Sequence, residues 1–304
     1  MLMGTSLQKQ FVKFTFLLLL SALLTGFTFV LGAIPLRVIR RSFTRRAYWS
    51  GVSALIILCF AFLSHPLALA LAVLASLIGL YTDAEEAGSG FFAAGFFASL
   101  TTSSFALVAV AFWANRQKIN LVQVAKENIG QVLTQVKSVN PQINWTVDSM
   151  IAQVPSAFVI FLLASLAAAL IWDRKLGRLV KLGFVGRTTR SLLSFKVPDV
   201  FVWVSLVAIA GAFGQQKYIG LQNISINLVN ILGLLYFFQG IAVVKHFMTL
   251  NHFSRMWQAI CFFFLLFQLF PLAVLVGFTD YWVSYRTRWT KKMRQGDRQY
   301  KSGN

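Results

Sequence analysis

Asparagines at positions 223, 227 and 230 form the polar pattern most able to contact a ligand. At about 100° per residue, steps of four and three return to one side of an α-helix, so the three amides share a face. Gly233 and Gly240 run along the edge of that face, and Gln239 points to the opposite side. The row lies within an apolar stretch, where an amide without a partner costs free energy. Two arrangements satisfy it: hydrogen bonds between helices, or one wall of a polar cavity. Asn223, Asn227 and Asn230 are therefore the candidate ligand-binding residues. Catalysis has no comparable pattern. There is no glycine-rich phosphate loop, no HExxH pair and no Ser/His/Asp set at a plausible membrane depth. His65, His246 and His252 are scattered, and Cys59 and Cys261 have neither disulfide nor metal spacing. Of nine acidic residues, only Asp280 lies near the end of an apolar stretch without an adjacent cation, and none lies near a stretch's middle. Ion-coupled transporters usually keep carboxylates at membrane depth. The chain reads as a non-enzyme without catalytic residues, metal or cofactor.

The elements that carry these residues must be membrane helices. Hydrophobic residues make up 57% of the 304 and charged residues 12%, about half the charged share of a soluble domain. Seven long stretches contain no Asp, Glu, Lys or Arg: 14–36, 47–82, 87–115, 149–172, 200–216, 218–244 and 256–279. About 20 apolar residues cross the hydrocarbon core. The stretch 47–82 holds two crossings, turned at His65-Pro66, because proline resists helix continuation. The prediction is an all-α polytopic transmembrane bundle of about eight hydrophobic segments, near 14–36, 47–64, 66–82, 91–114, 154–172, 200–216, 221–244 and 257–283. The first segment reads as retained, being longer than a signal-peptide core and followed by arginines.

The net charge of +19 arises beside these segments rather than in a nucleic-acid-binding patch. Arg37, Arg40, Arg41, Arg45 and Arg46 follow the first, seven cations fill 174–196, and seven more fill 286–304. Juxtamembrane Lys and Arg fix orientation and attract anionic lipid headgroups. With 174–196 inside, the loops at 37–46, at Asp83-Glu85-Glu86 and at 245–256 also fall inside, and 115–153 and 215–220 fall outside. Both ends then conflict with the rule. A single first span puts Lys9 and Lys13 outside, and a full eighth span does the same to the basic tail. A broken or re-entrant segment near each end removes the conflict; Pro271 interrupts the last segment.

One membrane domain is expected over 1–304, with 115–153 an amphipathic insertion and 286–304 a basic tail. Leu121, Ala125, Ile129, Val132, Val136 and Val139 mark one helical face in the insertion, and Asn140-Pro141 ends it. That helix either acts as a lid or docking element, or lies on lipid or on the bundle. Ala68, Ala72 and Ser76, like Ala164 and Ala168, have the spacing that lets helices approach closely in lipid.

Three further features complete a recognisable order. Lys196-Val197-Pro198 leads into an apolar span with Trp203. The run from Asn227 to Gln239-Gly240 follows, and Gly277 to Asp280 and Arg286 closes the last span. In this order the chain resembles the YybS-like family of bacterial multi-pass membrane proteins, a domain of unknown function. The N-terminal part departs from the family, which has more apolar length before its first basic loop. The general pattern is similar to substrate-binding membrane components of vitamin transporters and to a rod-shape membrane protein. The resemblance implies a multi-pass protein of the bacterial inner (cytoplasmic) membrane. The expected role is a small-molecule permease or substrate-binding component of a transporter, the alternative being a non-catalytic scaffold for envelope or division machinery. The partners expected are the lipid bilayer with its anionic headgroups, a small-molecule solute and a membrane-protein partner, with no nucleic acid.

Overall fold

The computed structural model describes residues 2–142, 145–183, 195–214 and 219–291. These are all-helical, with no strand among them. The helices are α1 (Leu2–Phe27), α2 (Ala33–Ser42), α3 (Arg45–Phe62), α4 (His65–Glu86), α5 (Phe91–Gln117), α6 (Leu121–Val139), α7 (Val147–Leu179), α8 (Val200–Phe213), α9 (Ile219–Leu250), α10 (Arg255–Phe267) and α11 (Phe270–Val283). Ser284, at φ 50°, breaks the chain after α11, and residues 285–291 are again helical. Packing divides the chain into two compact units, Met1–Thr189 and Arg190–Asn304.

Among the described residues, five helices are long and apolar enough to cross a membrane: Gln8–Phe27 within α1, then α4, α5, α7 and α9. The pair α10–α11 makes a sixth if its two limbs form one span. By length and composition the expected eight is therefore not confirmed, and three segments account for the difference. Arg45 and Arg46 occupy the first turn of α3 and shorten its apolar part. Helix α8 has only 14 residues. The eighth segment is bent by 98° between Phe267 and Phe270, just ahead of Pro271.

In the first unit, the turn between α3 and α4 is built as the sequence requires. The Ser64 hydroxyl accepts from the Leu67 N–H, and Pro66 sits in the first turn, where its missing N–H costs nothing. Asn120 caps α6, its side chain accepting from the N–H groups of Val122 and Gln123. Thr146 and Ser149 form a reciprocal capping box at the start of α7. With 33 residues, α7 is about 50 Å long, well beyond the roughly 30 Å hydrocarbon core. Helix α6 packs against α7. The seam is Leu133, buried, flanked by half-buried Ala125, Ile129 and Val136. Ala125, Ile129 and Val136 belong to the predicted face and Leu133 borders it, while Leu121, Val132 and Val139 stay exposed.

The 14–36 stretch is not one span. α1 ends at Phe27, the chain turns, and α2 runs back. Gly32 lies against Thr25, and its carbonyl accepts from the Ser21 hydroxyl at 2.9 Å, so α2 begins beside the last turns of α1. Arg41, in its last turn, lies beside Asp173 near the end of α7. The Lys13 ammonium donates to the Lys181 carbonyl at 2.9 Å, placing the start of the α1 apolar run beside the same end of α7. Lys13, the α2 arginines and the cations after Asp173 therefore share one side. The ten-residue return removes the conflict with the positive-inside rule at this end. In a chain with Cys59 and Cys261 replaced by Ala, cysteines at Lys9 and Lys175 should react with an impermeant maleimide from one side, and one at Ser64 from the other. Labelling of Lys9→Cys and Ser64→Cys from the same side would exclude the return.

In the second unit the bend between α10 and α11 plays the matching part. His246 Nε2 lies 3.1 Å from the Thr290 hydroxyl, and the Phe247 and Trp289 rings are 4.9 Å apart. The start of the basic tail thus lies beside the last third of α9, on the side of Lys245. Lys292, Arg294, Arg298 and Lys301 lie outside the described residues, as do Arg187 and Arg190 of the 174–196 segment.

Candidate functional site

Helix α2 carries Arg37, Arg40 and Arg41 at steps of three and one, with Leu36 before them and Val38 and Ile39 between. All six side chains are buried. Sequence reasoning placed these arginines at the lipid surface, and the fold corrects that. Arg37 pairs with Glu85, donates to the Thr82 hydroxyl and lies 5.1 Å over the Tyr81 ring. Arg40 reaches Asp83 and Glu86, each at 2.6 Å. Arg41 reaches Asp173 at 2.9 Å, with Arg37 a further 3.8 Å from the same carboxylate. Arg45, largely exposed, pairs with Asp83 at 3.0 Å. Four arginines thus meet four carboxylates from the last turns of α4 and α7. The balance is what permits charges at such burial, because an unpaired ion there would be strongly unfavourable. With every cation facing a carboxylate, the cluster works as a latch that fixes α2 against α4 and α7.

A second buried cluster lies in the other unit. Gln239 is 2% exposed and Asp280 4%. The Gln239 side-chain carbonyl accepts from the Val197 N–H at 2.8 Å, and its amide donates to Asp280 Oδ2 at 3.2 Å. Asp280 Oδ2 also accepts from Arg286 at 3.0 Å, and Oδ1 from the Tyr285 N–H at 3.0 Å. Arg286 donates in turn to the Phe195 carbonyl at 3.1 Å. The network ties the segment before α8 to α9 and to the end of α11. Asp280 is therefore not the isolated carboxylate of the sequence reading: its cation follows six residues later, across the break at Ser284. Below the cluster, Gly240 and Gly277 bring the α9 and α11 backbones into contact. A Cβ at Gly240 would stand 2.8 Å from the Ala273 carbonyl carbon and 3.2 Å from the Gly277 nitrogen.

Asn223, Asn227 and Asn230 are half-buried along the first half of α9. Asn227 Nδ2 donates to the Asn223 carbonyl at 2.8 Å, one turn back. That bond satisfies an amide donor within the helix itself.

The first unit also contains a half-open apolar cavity of about 650 Å³ between α3, α4 and α5, with Phe60, Phe112 and Trp113 exposed at its rim. Its walls include Ile56, Leu69, Ala72, Ala109, Val110 and Trp113. Polar side chains are confined to one end, where His65 at the start of α4 meets Arg116 and Gln117 at the end of α5. His65 stands edge-on to Phe60 at 4.4 Å, and the Arg116 guanidinium lies 5.3 Å from the Phe112 ring centre. Ala72, expected from its spacing to pack helices, lines this space instead.

The model of the family described as predicted membrane protein (DUF2232) matches residues 11–281. The chain belongs to that family. No curated protein and no solved structure matches it. The match agrees with the multi-pass class that the sequence resemblance implies. It covers both units and ends one residue past Asp280, so the Gln239–Asp280 pair lies inside the family's span and Arg286 just beyond it. Of the residues that carried the resemblance, Val197, Gln239, Asp280 and Arg286 converge in the second cluster, whereas Trp203 is exposed and Asn227 bonds back to Asn223 on α9.

Sequence reasoning missed the α2 latch. Its signal was present: cations at one end of a short apolar run, and carboxylates at the ends of 66–82 and 154–172, all assigned to one side of the membrane. What concealed it is that pairing between helix ends leaves no mark in a linear count of charges.

Proposed function

We propose that this DUF2232 protein is a solute-binding membrane component of a transporter in a bacterial cytoplasmic membrane, with its arginine-rich helix ends inside. The observation that carries this reading is the cavity between α3, α4 and α5. At about 650 Å³ it falls within the 300–1,000 Å³ range of small-molecule sites. It also shares the organisation of such sites, apolar walls with a few polar groups gathered at one place. The two buried ionic clusters lock the helices of each unit from within, as a preformed site requires. In this reading the protein binds its solute without transforming it.

The test is recovery of a bound molecule. The full chain, purified in mild detergent, is extracted and the released small molecules are identified by mass spectrometry, beside Ala109→Phe and Ala72→Leu, which fill the cavity. The expected result is a compound that co-purifies with the parent chain and is lost from both variants, while their elution profiles stay monodisperse. Identical extracts from the parent and both filled variants would overturn the reading. The scaffold alternative has its own support in α6, where Val122, Val124, Val132 and Val139 are exposed. Cross-linking from those positions to another membrane protein, with no compound in the cavity, would favour it.

A further inference from the structure

We infer that the cavity between α3, α4 and α5 takes a single-chain amphiphile with an anionic head, such as a fatty carboxylate. The inference rests on the solute-binding reading and specifies the chemistry of that solute. The lining is segregated along the cavity's length. Ile56, Leu69, Ala72, Ala109 and Val110 offer no hydrogen-bonding side chain, and the helical backbone around them is already bonded to itself. A polar solute such as a sugar or a nucleoside would lose its hydrogen bonds to water there and gain none. A hydrocarbon chain loses nothing and gains dispersion contacts along the walls.

The polar end sets the head. His65, Arg116 and Gln117 lie together because α4 starts where α5 ends, and the cavity lining includes no carboxylate. Arg116 is exposed and forms no ion pair among the described residues, and its guanidinium lies against the face of Phe112. This differs from the arginines of α2, each of which faces a carboxylate in the fold. A planar guanidinium presents paired donors that fit a carboxylate or phosphate. Gln117 adds an amide donor, and His65 a ring nitrogen. Lys118 follows directly, so the local field at this end is positive. Charge complementarity therefore selects an anion over a neutral or cationic head.

The source is taken to be a free single-chain amphiphile rather than a bilayer phospholipid, and the experiment separates the two. The full chain is placed in nanodiscs of dioleoylphosphatidylcholine, and tryptophan quenching is followed on titration with a bromine-labelled stearate. The same chain as methyl ester and as trimethylammonium, and a Trp113→Phe variant, serve as comparisons. Trp113 lines the cavity, so the quenching it reports should disappear in Trp113→Phe. The carboxylate should bind at least about tenfold more tightly than the ester, the factor that about 1.4 kcal/mol from one charge-assisted contact produces. The trimethylammonium analogue should be weakest. Arg116→Gln, a change at an exposed position, should bring the carboxylate to the ester's affinity and leave the ester unchanged. Equal affinity for carboxylate and ester in the parent chain would overturn the anionic head while leaving a solute site in place. Quenching of Trp113 by bromine-labelled phosphatidylcholine that free carboxylate cannot displace would overturn both, by giving the cavity to the bilayer. Quenching unchanged in Trp113→Phe would place the chain elsewhere and overturn the assignment of this cavity.

Discussion

Asp173→Ala should destabilise the protein by about 3–5 kcal/mol, the usual result of removing one partner from a buried ion pair. Asp173 is wholly buried and faces two arginines, Arg41 at 2.9 Å and Arg37 at 3.8 Å. Arg37 keeps Glu85 and Thr82 when the carboxylate is lost, but Arg41 loses the carboxylate that holds it to α7. The buried guanidinium charges are then less well compensated, which favours withdrawal of the α2 end from α7. Two readouts follow. The melting temperature in detergent should fall well below that of the parent. A cysteine at half-buried Ser42 should react faster with maleimide in the Asp173→Ala background. Replacing both partners, Arg41→Met with Asp173→Leu, should recover most of the loss, because an apolar pair of similar volume leaves no buried charge uncompensated. If Asp173→Ala melts with the parent chain, the latch does not hold α2.

The latch also shows where a linear reading stops. Membrane-helix class was legible because long charge-free stretches have few other uses. So were the α3–α4 turn at Ser64-His65-Pro66 and the limits of α6, since caps and proline act locally. The course of the chain at both ends was not legible. Whether residues 14–36 pass once or turn back depends on what Arg37, Arg40 and Arg41 meet, and their partners lie 43 to 136 residues away in sequence. The conflict with the positive-inside rule pointed to the right places: Lys13 and the basic tail needed a broken segment, and both segments are broken. Counting charges per loop detected the error, and only pairing charges between helix ends could explain it. The asparagine row shows the converse. Its spacing was clear, yet an amide can satisfy part of its bonding on its own helix, as Asn227 does on Asn223, so a polar face in a span does not imply a ligand. The apolar cavity left no sequence signal at all, because its walls are ordinary span residues.

Glycines 233 and 240 look equivalent in sequence, seven residues apart on the same helix, and they should respond oppositely to alanine. A Cβ at Gly233 meets nothing within 4 Å. Gly233→Ala should therefore be neutral or stabilising, by up to roughly the 0.8–1.0 kcal/mol that separates the two residues in helix propensity. At Gly240 the added carbon runs into the Ala273 carbonyl and the Gly277 nitrogen. Both obstacles are backbone, which has no rotamer to yield, so α9 and α11 must separate. Gly240→Ala should cost at least about 1–3 kcal/mol, the usual range for overpacking, and Gly277→Ala should cost a similar amount, since its Cβ strikes the Tyr236 carbonyl. Separation also stretches the 3.2 Å bond from Gln239 to Asp280, which lies within a turn of each glycine. The two substitutions should then be less than additive, because the first already opens the gap that the second requires. In lipid no water is expelled when helices meet, so close backbone approach is the main source of attraction, and its loss has little to offset it. Thermal melts of the three single variants and the Gly240→Ala/Gly277→Ala pair decide the matter. Gly240→Ala melting with Gly233→Ala would show that the α9–α11 contact does not depend on a bare backbone at that crossing.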